Sequence, residues 1–186
     1  MQVFYIHPDN PQPRLIEQAA DLLRNDQLVI YPTDTSYAFG CRLGAKDALE
    51  KLKHIREIDD KHQFTLLCRD LSEIANYATV DNVQFKQLKA HTPAPITFIL
   101  NATKDVPKKL AHPKKKTIGI RVPSNPIAQA LLAAMDEPIL TSSLILPHRD
   151  EILDDPFEIE ELLGNQIDGL INAGIKITKL TTIVDM

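Results

Sequence analysis

The stretch LVIYPTDTSYAFGCRLG, residues 28–44, constrains the fold more than any other part of the chain. Leu28 to Tyr31 and Tyr37 to Leu43 are apolar runs rich in β-forming residues, the pattern of buried strands. Between them lie Pro32, Thr33, Asp34, Thr35 and Ser36, where a simple hairpin would carry Asn-Gly or Asp-Gly. Four hydrogen-bonding side chains at the mouth of two buried strands admit two readings. They cap backbone groups in a turn, or they line a polar site held by a rigid scaffold.

The rest of the chain supplies what such strands need, helices to pack on their faces. Apolar residues at Leu15, Ile16, Ala19, Leu22 and Leu23 predict a helix from Pro13 to about Asn25. A second runs from about Ala45 to Ile58, with Ala48, Leu49, Leu52 and Ile55 as its buried stripe. Asp70 and Glu73 have the spacing of a capping box, and Asp81 caps a further helix to about His91. Asn125-Pro126 and Asp155-Pro156 open two more. Strands are expected at Phe64–Cys68, Ile96–Asn101, Thr117–Val122, Ile139–Thr141, 168–173 and 181–185. Consecutive strands without helices between them argue for a twisted mixed α/β sheet, not a regular doubly wound fold. A chain of 186 residues is long enough for its own core, and no repeat, low-complexity tract or linker divides it. Residues 1–186 therefore read as one domain.

Several chemistries are set aside by spacing. The six histidines show no zinc-ligand pattern, and no Walker loop, Rossmann fingerprint or nucleophile elbow is present. Cys41 and Cys68 lie in separate apolar runs and read as reduced, buried thiols. With no secretion-type leader and no apolar run near the ~20 residues of a membrane span, a cytoplasmic protein is expected. What recurs is hydroxyls at strand ends: Thr33, Thr35, Ser36, Thr97, Thr117, Thr141, Ser142, Ser143, Thr181 and Thr182. Singly they are caps or sheet filler; together they suggest a polar pocket. Arg121, between Ile120 and Val122, either faces solvent or is held for an anion. Lys108, Lys109, Lys114, Lys115 and Lys116 crowd one loop, either solvated or forming a basic face on a chain of net charge −4.

Four segments together resemble one family. YPTDTSYAFG is similar to the Pro-Thr-Glu/Asp-Thr-x-Tyr-Gly-Leu-Gly motif of the YrdC-like proteins. TPAPITFIL, TIGIRVPSNPIAQALL and TTIVD resemble that family's later motifs in order and spacing, over nearly the whole chain. FYIHPDNPQ, FTLLCRDLSE and TSSLILP look most like its YciO branch. The resemblance implies an open, concave α/β fold and threonylcarbamoyl-AMP synthesis from L-threonine, bicarbonate and ATP with Mg²⁺, toward tRNA t6A modification. By that resemblance Thr33, Arg121, Thr141 and Thr181 would hold threonine, and Arg56, Thr117 and Ser143 the nucleotide. Double-stranded RNA or tRNA binding is the alternative implied, with the five lysines as its surface.

Three departures weaken the nucleotide half. The family's Lys-x-Arg-Pro aligns with Arg56-Glu57-Ile58-Asp59, so one cation is missing and two carboxylates intrude. Its Ser-Ala-Asn becomes Ser143-Leu144-Ile145, without the amide donor. The sequence reaches Met186 before the segment whose arginine approaches the nucleotide in relatives. Reduced activity is the expectation.

Overall fold

The computed structural model describes residues 1–176 and 179–186, and in these the interleaved pattern becomes one mixed sheet. Its strands are β1 (Gln2–Tyr5), β2 (Val29–Pro32), β3 (Tyr37–Arg42), β4 (Thr65–Leu67), β5 (Ala78–Thr79), β6 (Ile96–Ala102), β7 (Thr117–Arg121), β8 (Ile139–Ser143), β9 (Gly169–Asn172) and β10 (Thr182–Asp185). The helices are α1 (Pro13–Arg24), α2 (Lys46–Arg56), α3 (Leu71–Tyr77), α4 (Asn82–His91), α5 (Pro126–Met135) and α6 (Pro156–Leu163). The sheet order is β1-β9-β2-β3-β8-β4-β7-β6-β10, with β5 pairing β6 off this path. β2 and β3 pair antiparallel, while β4 runs parallel to β7 and antiparallel to β8. The expected mixed α/β architecture is present. Sequence periodicity missed β1 and β5: β1 is four residues long at the sheet edge, and β5 has two.

Alternation along the strands sorts side chains into two faces. On one face Ile30, Phe39, Leu66, Phe98, Ile118, Ile120 and Leu140 pack against the α2 stripe that the sequence predicted, Ala48, Leu49, Leu52 and Ile55. On the other, Tyr31, Ala38, Leu67 and Ile139 pack beneath α1 and α5. Those two helices cover only part of this second face. The same alternation places Thr65, Thr97, Arg121 and Thr141 on it, and there the apolar cover gives way to a cleft. A hydroxyl-rich stripe is tolerable in mid-sheet only where no helix must pack on it.

The helix starts obey the predicted chemistry. Asp81 and Gln84 complete a capping box at α4. The Asn125 side chain accepts the Ile127 and Ala128 N–H groups at the start of α5, with Pro126 in its first turn. Cys41 and Cys68 are buried free thiols, and burial pushes the Cys41 thiol up to about 12. Among the described residues no helix is long and apolar enough to cross a membrane.

Candidate functional site

The uncovered part of the second face is a cavity of about 370 Å³, lined chiefly by hydroxyls, two arginines and a few isoleucines. Its floor is a row across the sheet in which Gly40 lies opposite Thr141, Thr141 opposite Thr65, and Thr65 opposite Gly119. Gly119 is required by space. A Cβ there would stand 2.6 Å from Thr65 Oγ1 and 3.1 Å from the Phe64 carbonyl oxygen.

The Thr33–Ser36 loop answers both readings of its sequence, residue by residue. Thr33 serves the turn: its hydroxyl donates to the Ser36 carbonyl and accepts the Thr35 and Ser36 N–H groups. Asp34 is a tie, its carboxylate accepting the Ser124 and Asn125 N–H groups just before α5. Thr35 is the hub of the site. Its Oγ1 accepts from Arg121 Nη2 at 3.2 Å and Thr181 Oγ1 at 3.4 Å, and lies 3.3 Å from Thr33 Oγ1. Residues 33, 121 and 181, distant in sequence, thus meet around one hydroxyl.

Arg121 is 6% exposed, and its Nε is buried without any partner among the described residues. Burial lowers the guanidinium from its ordinary range, with Asp34 and then Tyr31 opposing that shift. A buried cation that lines a polar cavity and keeps an unsatisfied donor suits an anion receptor. Thr141 is oriented from below, because the Tyr31 hydroxyl donates to its Oγ1 at 2.7 Å. That bond leaves the Thr141 proton free to point into the cavity.

A second cation closes the other end. Arg56, the last residue of α2, donates to the Ile145 carbonyl at 3.3 Å and to Ser142 Oγ. It is half-buried, and burial lowers its guanidinium as well. His62 lines the same end, its ring edge-on to Phe64 at 5.1 Å. Burial and then the charge of Arg56 push His62 below the usual imidazole range, with Asp59 opposing. No aspartate or glutamate is among the described lining residues. Among them there is also no cluster of three metal-ligating side chains.

Of the residues singled out from sequence, Thr33, Arg56, Arg121, Thr141, Ser143 and Thr181 line this one cavity. Thr117 stands behind it, donating to Gln63 Oε1 at 2.9 Å, so Gln63 takes the lining position. Lys108, Lys109, Lys114, Lys115 and Lys116 are exposed on the β6–β7 connection, outside the cavity. Lys108 and Lys116 instead flank a separate cleft of about 390 Å³ with Lys104 and His112. Sequence reasoning missed His62 and Gln63, which belong to no motif. Thr35 and Ser142 were visible only as members of the hydroxyl pattern.

The Sua5/YciO/YrdC family model, described as telomere recombination, matches residues 21–186. YciO of Escherichia coli (strain K12) is 52% identical over 185 residues, covering all of this chain and 90% of its own length. Its crystal structure superposes with a TM-score of 0.95 over the same shares. A threonylcarbamoyl-AMP synthase of Vibrio cholerae is 26% identical over 155 residues, 82% of this chain and 81% of that protein. The P. abyssi Sua5 structure complexed with L-threonine, at 19% identity, shares the fold with a TM-score of 0.91. That superposition covers all of this chain and 54% of Sua5.

Proposed function

The chain belongs to the Sua5/YciO/YrdC family, and from that premise we propose that its cavity binds L-threonine and forms a threonylcarbamoyl-AMP-like adenylate, more slowly than the synthases it resembles. The observation that carries this reading is Arg121, a buried guanidinium with an unpartnered Nε among threonine hydroxyls. A planar fork suits a carboxylate, which can accept from two of its N–H groups. With the carboxylate on Arg121, the ligand hydroxyl falls among Thr35, Thr141 and Thr181.

The chemistry asks for positioning more than for a protein nucleophile. Threonine nitrogen takes up the carbon of bicarbonate with loss of water, and an oxygen of that carbamate attacks the α-phosphorus of ATP. Pyrophosphate leaves, and a mixed anhydride remains. Arg56 at the far end is placed to neutralise phosphate charge, and Ser143 offers a hydroxyl beside it. Ile99, Ile145 and Ile183 supply an apolar wall suited to a base. With no carboxylate in the described lining, Mg²⁺ would enter with ATP, as part of that substrate. The departures in sequence carry structural costs. The Ser-Leu-Ile segment buries Leu144 in the core and turns the Ile145 carbonyl onto Arg56, so this arginine is partly occupied.

The reading is tested by thermal shift with L-threonine, L-serine and L-valine, each with and without ATP and Mg²⁺. Stabilisation by threonine above serine, and none by valine, is the expected order. A cavity that hydrogen-bonds the ligand hydroxyl rejects analogues lacking it, by up to ~10⁴-fold in favourable cases. No shift with threonine in either condition contradicts the reading.

A second reading, binding of tRNA or double-stranded RNA, is favoured by the exposed lysines of the β6–β7 connection. Neutralising Lys114, Lys115 and Lys116 together is expected to weaken RNA binding without sequence preference. It should also reduce the slope of log affinity against log salt by about 0.9 for each phosphate that is no longer neutralised. An unchanged slope in a filter-binding titration would make these lysines a solvated loop.

A further inference from the structure

The connection between β6 and β7 is not the loose loop that a run of lysines suggests. Val106 and Leu110 are buried in the core, and the Thr103 hydroxyl donates to the Asn76 carbonyl near the end of α3. Two backbone bonds close its last turn, from the His112 N–H to the Thr117 carbonyl and from the Lys116 N–H to the His112 carbonyl. The Lys116 carbonyl in turn accepts the Ala102 N–H. His112 staples the turn from within, its Nδ1 accepting the Lys114 and Lys115 N–H groups. That acceptor role fixes the tautomer, so Nε2 carries the ring proton and is a donor.

This scaffold carries the cleft of about 390 Å³, which shares no described lining residue with the hydroxyl-lined cavity. Lys104, Lys108, Lys116 and His112 line it, against apolar walls that include Val106 and Pro113. Asp105, the one carboxylate in residues 103–116, is not part of the lining. Among the described residues lysine ion pairs are made by Lys51 and Lys53, and by none of these three. Lys116 is the sharper clue. Its φ of 54° is in the left-handed region, where glycine sits without strain and a lysine does not. A long cationic side chain kept there against that cost points to a use for it.

We propose that this cleft binds a compact polyphosphate, an anion of two or three linked phosphates, at a site separate from the hydroxyl-lined cavity. Lysines are point charges without a preferred plane, and three of them suit an anion that is charged on all sides. A single phosphate would leave most of the cleft empty and cannot match three cations. No phenylalanine, tyrosine or tryptophan lines the cleft to stack a nucleobase, so recognition rests on the phosphates. The site goes beyond the reading of the cavity and does not depend on threonine binding there.

Isothermal titration with inorganic tripolyphosphate, in magnesium-free buffer at low salt, tests it on the wild-type chain and its variants. Arg56→Gln removes the cation at the phosphate end of the other cavity and is expected to leave binding at the cleft in place. Lys116→Gly is expected to weaken binding about tenfold, the loss of one charge-assisted hydrogen bond. The same variant should melt at or above the wild-type temperature, because glycine relieves the left-handed backbone. His112→Asn keeps an oxygen acceptor near the Nδ1 position and lacks the Nε2 donor, so it should bind more weakly with its fold intact. Lys104→Gln and Lys108→Gln together should cost about a hundredfold and flatten the salt dependence. Binding that disappears in Arg56→Gln, or that is unchanged in Lys116→Gly and in the paired variant, overturns the proposal. So does a wild-type chain that binds no tripolyphosphate. An RNA duplex with hydroxyl ends supplies the other source of phosphate. If the same variants lose the duplex and keep tripolyphosphate, the cleft is a contact for the nucleic-acid backbone and the polyphosphate site is overturned.

Discussion

Arg121→Ala is expected to erase the stabilisation that L-threonine gives the wild-type chain while leaving the unliganded fold at least as stable. At a hundredfold excess over its dissociation constant a ligand stabilises a one-site protein by ~2.7 kcal/mol. Removing a charge-assisted hydrogen bond of ~1.5–3 kcal/mol takes away most of that. The second half of the expectation comes from the unliganded site. Among the described residues Arg121 has one side-chain hydrogen bond, to Thr35, and a buried Nε with none. Truncation therefore relieves a buried cation that the charge of Asp34 and one hydrogen bond to Thr35 compensate only in part. A variant that unfolds more easily yet still responds to threonine would make Arg121 structural. Thermal melts with and without ligand separate the two outcomes.

Gly119→Val is expected to cost ~1–3 kcal/mol of stability, as overpacking of a filled interior does, and to abolish the response to threonine. The added atoms start 2.6 Å from Thr65 Oγ1, 3.1 Å from the Phe64 carbonyl and 3.1 Å from Thr97 Cγ2. The Thr65 hydroxyl can rotate away, but the Phe64 carbonyl accepts the Gly119 N–H in the sheet and cannot. Gly44→Ala is the matched control, since nothing lies within 4 Å of a Cβ there. Urea denaturation of both variants checks the difference. Equal stabilities would show that the cavity floor is softer than its geometry indicates.

How much of this was legible in the sequence depends on the range of the interaction. Helix starts were readable because caps are local: Asp81 with Gln84, Asn125 with Pro126, and Asp155 with Pro156 all act within one turn. The buried stripe of α2 was readable for the same reason. The strands β1 and β5 were not, being short and given their strand character by pairing, β1 with a strand near the other end of the chain and β5 with the strand that follows α4. Hydroxyls at strand ends pointed to a polar pocket, but period-two alternation alone does not say which face a helix leaves bare. That required α1 and α5 to pack over Tyr31, Ala38 and Leu67 and stop short of Thr65. The placement of Thr33, Arg121 and Thr181 at one point was reached through family resemblance, not through spacing. Thr35 as the meeting hydroxyl, and the service of Asp34 to α5, depend on hydrogen bonds between residues 86 to 146 positions apart. His62 and Gln63 follow no pattern and are defined by the cavity alone.

The most direct test of the central claim is pyrophosphate release by the wild-type chain with ATP, Mg²⁺, bicarbonate and an amino acid, with the nucleotide product identified by chromatography. The account predicts release that needs both threonine and bicarbonate, falls with serine, vanishes with valine, and yields an AMP-linked product. It also predicts a rate below that of the Vibrio cholerae synthase under the same conditions, since Arg56 stands as a single, partly occupied cation. Pyrophosphate release indifferent to threonine, or none at all when threonine is shown to bind, would contradict it.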